Sequence, residues 1–147
     1  MIEKSILLSC TDARAFTLFT SRISAWWPPE RRHTNDPASE LFLLATGRFY
    51  ERARDGREVE LGRVLEWAPP THLLLDFYPG TDAEHPTRVE VRFIASSSLP
   101  PTTLVKVIHR AGPDSEHLFG ARAPRYAASW DLVLPALERH ARELEDW

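Results

Sequence analysis

The sequence contains little of several features that would indicate a function directly. It has only one cysteine, Cys10, so no internal disulfide can form and a reducing compartment is acceptable. Six glycines stand against twelve prolines, which favours stiff, defined loops over a flexible linker. No apolar run approaches the length of a membrane span, about 18 residues, and the N-terminal run is too short for a signal peptide. We therefore expect a cytoplasmic protein without a membrane partner.

The sequence also lacks the common catalytic and metal-binding motifs. A net charge of −3 provides no long-range attraction for nucleic acid. None of the six histidines belongs to an HxH or HExxH pair, and there is no G-x-S-x-G elbow or Gly-rich phosphate loop. We predict no metal site, no cofactor and no nucleic-acid partner. No catalytic constellation is evident, which favours a protein that is not an enzyme.

What the sequence does contain is a long apolar stripe near its C-terminus. The apolar residues at helical spacing are Tyr126, Trp130, Val133, Leu134, Leu137, Ala141 and Leu144. This period predicts a helix over residues 124–147, with Pro124 in its first turn. A stripe with two large aromatic residues needs a broad apolar surface to lie against. Because Pro135 falls inside the pattern, we expect a bend near residues 131–135.

The preceding residues supply that surface as predicted strands. Asp55-Gly56 predicts a hairpin, and residues 87–94 alternate with the period of a strand that has one buried face. The most apolar segment, 72–78, is expected at the centre of the sheet, and Gly62 predicts a bulge or a close backbone approach. The predicted order is a strand at 2–9, a helix at 12–20, a short turn at 21–26, strands at 41–45, 47–53, 58–67, 72–78, 87–94 and 103–109, a helical turn at 116–120, and the long helix. A hydrophobic content of 43% and 147 residues suit one such α+β domain over residues 1–147.

This order of elements, together with several short motifs, resembles a known superfamily. The motifs are Ala15-Phe16, Trp26-Trp27-Pro28, Phe49-Tyr50-Glu51-Arg52, Asp55-Gly56, Leu61-Gly62-x-Val64, Trp67-x-Pro69-Pro70 and Ser129-Trp130. The chain resembles the helix-grip fold of the START-like (SRPBCC) superfamily, which includes the birch pollen allergen and polyketide cyclases. Within it, the chain is similar to the family named after the activator of the heat-shock protein 90 ATPase. The expected fold is a curved antiparallel sheet of about seven strands wrapped on a long C-terminal helix, with two short helices after the first strand.

The resemblance implies a hydrophobic cavity between sheet and helix that binds an apolar or amphipathic small molecule. It does not imply one reaction, because fold and function are only loosely coupled. Two alternatives stay open, namely a cyclase- or hydrolase-type enzyme and a module that partners the chaperone. A homodimer is also considered. One departure from the family is the hairpin at residues 96–102, where a longer, proline-containing tip is expected to alter the cavity mouth or an oligomer contact.

The segment after the second helix is one candidate for the mouth of the cavity. Two adjacent tryptophans, Trp26 and Trp27, cannot both enter a small core from one regular element, so we expect one of them at the mouth. The neighbouring Arg31, Arg32 and His33 either recognise a carboxylate or phosphate or lie in water.

The inner face of the sheet offers further candidates. His109 continues the apolar face of the last strand and is either a ligand or acid–base group or a satisfied buried histidine. Asp76 lies on the outer face, where it is solvated, or on the inner face, where it needs a partner. Residues expected at the cavity or its mouth are Trp26, Trp27, Phe77, His109, Tyr126 and Trp130. An enzyme would require His109, Asp76 or Tyr126 to converge there.

Overall fold

A computed structural model describes residues 1–144 of the protein, and its main element is a seven-stranded sheet. The elements are β1 (Ile2–Leu8), α1 (Asp12–Phe19), α2 (Ile23–Trp26), a short 3-10 turn (Pro29–Arg31), β2 (Glu40–Leu43), β3 (Arg48–Arg52), β4 (Glu58–Ala68), β5 (His72–Phe77), β6 (Thr87–Ala95), β7 (Thr103–Arg110) and α3 (Glu116–Leu144). This order confirms the predicted curved sheet, the two short helices after the first strand and the long C-terminal helix.

The sheet is antiparallel throughout, in the order β1-β7-β6-β5-β4-β3-β2. Strands β2 to β7 follow one another as hairpins, and β1 pairs with β7 in a register that runs from Ile2 opposite His109 to Leu8 opposite Thr103. The most apolar strand, β5, is fourth of seven, which confirms its predicted central place. The N-terminal strand, β1, lies at one edge of the sheet.

Alternation along the strands separates an apolar inner face from a charged outer face. On β6, Val89, Val91 and Phe93 are almost fully buried, whereas the residues between them face outward. Gly62 on β4 confirms the predicted close approach, because a Cβ there would lie 2.2 Å from the backbone oxygen of Asp76. A larger residue at this position would push β4 away from β5.

The C-terminal helix is longer than its sequence pattern predicts. The separate turn at 116–120 and the start near Pro124 are both wrong, since α3 runs without a break from Glu116 to Leu144 through both prolines. Its first turn is held by the carbonyl of Ser115, which accepts from the amides of Leu118 and Phe119 at 2.9 and 3.0 Å. Phe119 is buried in the core. This packing offsets the cost of the backbone hydrogen bond that is lost because proline has no amide N–H.

The helix lies across the inner face of the sheet and closes the core. Leu134 and Leu137 are at most 2% exposed, which confirms the stripe, while residues 145–147 of the predicted helix lie outside the described residues. The bend expected near Pro135 stays a prediction. Within residues 1–144, no helix combines the length and the apolar character that a membrane crossing requires.

Candidate functional site: an aromatic cluster below a loop–helix cavity

The six residues predicted for the cavity come together in one aromatic cluster. Phe77, at the end of β5, lies with its ring centroid 6.3 Å from that of Trp130 and 6.4 Å from that of Tyr126 on α3. The ring of Trp27 lies 6.3 Å from Trp130. The remaining two members, His109 and Trp26, contact this group from β7 and α2. Ring pairs at these separations stabilise each other beyond the area that they bury.

His109 is the centre of a buried chain of hydrogen bonds. The indole Nε1 of Trp130 donates to Nδ1 of His109 at 3.1 Å. Because an indole N–H can only donate, the imidazole proton is on Nε2, which faces Oγ1 of Thr87 at 2.8 Å. The Thr87 hydroxyl then donates to the carbonyl of Phe77 at 3.3 Å.

These hydrogen bonds make His109 a buried histidine whose two ring nitrogens both have partners. Its side chain has no exposed surface. Burial lowers the pKa of His109 to about 3, so the ring is neutral at physiological pH. The His109 ring packs against the rings of Phe77 and Tyr126, with centroid distances of 5.4 and 4.2 Å.

The two adjacent tryptophans correct one expectation from the sequence. Both are buried, at 5% and 6% exposure, so Trp26 and Trp27 do enter the core together. This is possible because α2 ends at Trp26, and Trp27 has an extended backbone (φ −61°, ψ 126°) that turns its side chain away from the helical direction. Trp26 donates to the carbonyl of Leu18 at 2.7 Å, and Trp27 donates to that of Arg31 at 3.1 Å.

Above the cluster lies a cavity of about 290 Å³, which we call the loop–helix cavity. Its lining residues come from the segment after α2, from the β5–β6 loop and from the N-terminal half of α3: Trp27, Arg31, His33, Phe77, Pro79, Gly80, Arg125, Tyr126, Ala128 and Ser129. Three predicted residues, Trp27, Phe77 and Tyr126, thus form its apolar floor. A second cavity of about 370 Å³ shares Gly80, Arg125 and Tyr126 with it.

Tyr126 lines both cavities and ties the β5–β6 loop to α3. Its hydroxyl donates to the carbonyl of Pro79 at 2.8 Å, and Arg122 Nε donates to that of Gly80 at 2.8 Å. Gly80 has φ +83°, and a Cβ there would lie 2.6 Å from the Tyr126 hydroxyl oxygen. Both its conformation and the close approach therefore require glycine. Burial raises the pKa of Tyr126.

Two residues that hold the loop at the cavity wall are not among the six predicted for the cavity, and one of them, Arg32, neither lies in water nor lines the cavity as the sequence alternatives had it. Arg32 points inward from the basic triplet and donates to the carbonyls of Ser24 (2.9 Å), Trp27 (3.0 Å) and Ser39. It therefore acts as a staple for the loop, while its neighbours Arg31 and His33 line the cavity. Desolvation by burial lowers the pKa of Arg32.

Glu51 anchors the same loop from β3. Its fully buried carboxylate accepts from the amides of His33 and Thr34 at 2.8 and 2.9 Å. It also accepts from the hydroxyls of Thr34 and Ser39 at 2.6 and 3.0 Å. Burial opposes the charged form, but these bonds prevail and lower the pKa of Glu51. The sequence signal that could have identified Glu51 is its spacing, because it lies two residues after Phe49 on one strand and so shares the inner face with it.

Asp76 does not belong to the site. It lies on the outer face of β5, where its carboxylate accepts from Arg88 Nε at 2.7 Å. The hairpin at 96–102 also lies away from the site, since Pro101 lines a different cavity with Ala141 and Leu144, near the end of α3. The departure from the family pattern therefore does not touch the loop–helix cavity.

Solved structures with the same architecture support this description of the fold. CalC from Micromonospora echinospora, a self-sacrificing resistance protein, aligns over 97% of this chain and 94% of its own with a TM-score of 0.70 and 20% identity. An HSP90 activator from Plasmodium falciparum covers 93% of this chain and 92% of its own (TM-score 0.62, 16% identity). An anthrahydroquino-γ-pyrone synthase covers 94% of each (TM-score 0.60, 26% identity).

These similarities confirm the helix-grip fold of the START-like superfamily. No family model matches the sequence, and no curated protein matches it. At these identities the structural likeness establishes the fold, and the chemistry of the cavity has to be argued from its own residues.

Proposed function

We propose that the protein binds a small apolar or amphipathic molecule in the loop–helix cavity. The observation that carries this proposal is the convergence of Trp27, Phe77 and Tyr126, from three separate segments, on one cavity. Cavities of drug-sized ligands are about 300–1,000 Å³, so a volume of about 290 Å³ suits a small ring compound. An aromatic floor favours such a ring through stacking and edge contacts.

The floor of the cavity is well ordered for this task. Phe77 and Tyr126 are each at most 7% exposed and pack on His109, whose ring nitrogens are both hydrogen-bonded. A ligand therefore meets side chains that lose little conformational entropy on binding. The likeness to a synthase of an anthrahydroquino-γ-pyrone, itself a ring compound, further supports a ligand of this class.

A neutral fluorescent probe, N-phenyl-1-naphthylamine, tests the proposal directly. The protein should enhance its fluorescence saturably. The substitution Ala128→Phe places a ring at the cavity wall and should weaken probe binding by about tenfold or more. Ala13→Phe is the matched control, because Ala13 is likewise an exposed helical alanine and lies on α1, away from the cavity.

Absence of saturable binding, or equal weakening by the two substitutions, would contradict the proposal. The melting temperature of each variant should be measured alongside, so that a loss of folding is not mistaken for a loss of the site.

The cyclase or hydrolase alternative finds less support in the same geometry. Asp76 lies on the opposite face of the sheet, and His109 is buried beneath the floor with both ring nitrogens bonded. Of the three residues that the enzyme hypothesis requires, Tyr126 alone reaches the cavity, and its hydroxyl donates to the carbonyl of Pro79. We therefore favour binding without catalysis. Turnover of a bound ring compound that Tyr126→Phe abolishes would reverse this preference.

The two protein-partner hypotheses rest on less. A chaperone-partner role is supported only by the fold shared with an HSP90 activator, and an ATPase assay with the chaperone would test it. A homodimer stays a prediction that light scattering would check.

A further inference from the structure

The cations of the loop–helix cavity differ from most others in the protein. Arg88, Arg92 and Arg110, for example, each contact a carboxylate at 2.7 to 3.2 Å. Within residues 1–144, neither Arg31 nor Arg125 forms an ion pair or a side-chain hydrogen bond, although both line the cavity. The Nε of Arg31 is fully buried and lacks a partner there. A buried N–H donor without an acceptor has lost its bond to water without a replacement, so the Nε of Arg31 marks a place where an acceptor is missing.

Among the described residues 1–144, no acidic side chain lines the cavity to balance these charges. The carboxylate bonded to the cavity wall is that of Glu51, which accepts from the amide of the lining residue His33 at 2.8 Å. Its oxygens already accept two amides and two hydroxyls. Glu51 also acts electrostatically on Arg32 and favours its charged form. The guanidinium groups of Arg31 and Arg125 are therefore left for a group that enters from outside.

We propose that the ligand of the loop–helix cavity is an aromatic carboxylate, with its ring on Trp27, Phe77 and Tyr126 and its acidic group on Arg31 and Arg125. This inference rests on the proposed function and specifies its ligand class. The two guanidinium groups come from different segments, the turn after α2 and helix α3, so a carboxylate that contacts both would bridge the two walls. Arginine suits this task because its planar fork matches the two oxygens of a carboxylate.

A matched pair of ligands separates the charge from the ring. 2-Naphthoate and 2-naphthamide have the same ring system and nearly the same shape, but only the naphthoate is an anion. Their affinities are measured by displacement of N-phenyl-1-naphthylamine and by calorimetry. We expect naphthoate to bind about tenfold more tightly, since hydrogen bonds between two charged groups are stronger than those to a neutral amide. Raising the salt concentration should weaken naphthoate only.

Substitutions then assign the preference to the two arginines. Arg125→Gln and Arg31→Gln should each remove most of the naphthoate preference, by about fivefold or more, and leave naphthamide binding within twofold. Arg22→Gln is the control, because Arg22 is exposed and, within the described residues, forms no ion pair and lines none of the cavities described above.

The outcomes distinguish this inference from the proposed function. Equal affinities of naphthoate and naphthamide, or a preference that survives both arginine substitutions, overturn the inference while probe binding still supports the cavity. Displacement by neither compound, with the probe bound, also overturns it. Failure of the neutral probe itself to bind overturns the proposed function first.

Discussion

The outer face of the sheet and the loop–helix cavity differ in whether their cationic side chains have carboxylate partners. On the outer face, Glu90 accepts from Arg92 at 2.8 Å, from Arg110 at 3.2 Å and from His72 at 3.0 Å. At the cavity, Arg31 and Arg125 have no carboxylate partner among residues 1–144.

This difference distinguishes charged groups that stabilise the fold from guanidinium groups that we propose bind a ligand. In the ion pairs of the outer face, the two charged groups satisfy each other's hydrogen bonds and cover the sheet. Each pair contributes about 0–1 kcal/mol to the free energy of unfolding. An unpaired guanidinium beside an aromatic floor contributes nothing comparable to the free protein. Its position is explained if the partner is a bound anion.

The strongest test of the inner side is Glu51→Gln. An amide replaces a carboxylate that four donors contact, and one amide end presents N–H groups to N–H and O–H donors. We expect a loss of at least about 3 kcal/mol in the free energy of unfolding, measured in urea.

Glu60→Gln is the matched control for that experiment. Glu60 is half exposed on the outer side, where it pairs with Arg48, and its substitution should cost at most about 1 kcal/mol. Similar losses for the two variants would remove the distinction between the inner and the outer carboxylate.

The next effect is the pH dependence that the buried His109 imposes. Its pKa of about 3 in the folded protein lies below the value of about 6.5 in the unfolded chain, so the unfolded chain binds more protons between these values. Its stabilising contribution is complete above about pH 6.5 and is lost as the pH falls towards 3. Between pH 7.5 and 5.0 the free energy of unfolding should fall by about 2 kcal/mol from this residue.

His109→Gln isolates this contribution from that of the carboxylates. The variant should be less stable at pH 7.5, because it disturbs the bonds with Trp130 and Thr87. Its loss between pH 7.5 and 5.0 should be smaller than that of the native protein by about 2 kcal/mol. Parallel pH profiles of the two proteins would mean that His109 does not titrate below its normal range.

A smaller effect is expected at the contact between the β5–β6 loop and α3. Gly80→Ala and Gly56→Ala impose similar backbone strain, since the φ values are +83° and +93°. A methyl group at residue 80 meets the Tyr126 hydroxyl, whereas at residue 56 it meets open space. We expect Gly80→Ala to destabilise the protein by about 1 kcal/mol more than Gly56→Ala in thermal unfolding. Equal melting temperatures would indicate that the loop moves away from Tyr126 without cost.

The smallest effects on stability are expected from replacing one paired arginine of the outer face and one unpaired arginine of the cavity by glutamine. These two substitutions compare the two regions most directly. Arg88→Gln leaves Asp76 without its partner and should cost about 1 kcal/mol, with naphthoate binding unchanged. Arg125→Gln should change stability by less than about 0.5 kcal/mol and weaken naphthoate binding. Urea unfolding and calorimetry of both variants check this pattern. A stability loss at Arg125 equal to that at Arg88 would argue for a structural role of Arg125.

Local sequence patterns predict most of the strands and helices and the face that each of them buries. Alternation in β6 and the helical period from Tyr126 to Leu144 identify the residues that must leave water, because each element has one local period and one face to bury. The close backbone approach at Gly62 was also predictable from the sequence, because only a residue without a side chain fits there.

Packing between distant segments settles which of these residues meet and where the exceptions to the local patterns lie. Trp27, Phe77 and Tyr126 come from distant segments, and no local pattern states that they share a cavity. The inward turn of Trp27, the four bonds of Glu51 and the passage of α3 through Pro124 each contradict or exceed a local expectation. Packing and hydrogen bonds from other elements offset the local cost in each case, and such contacts form only once the chain has folded.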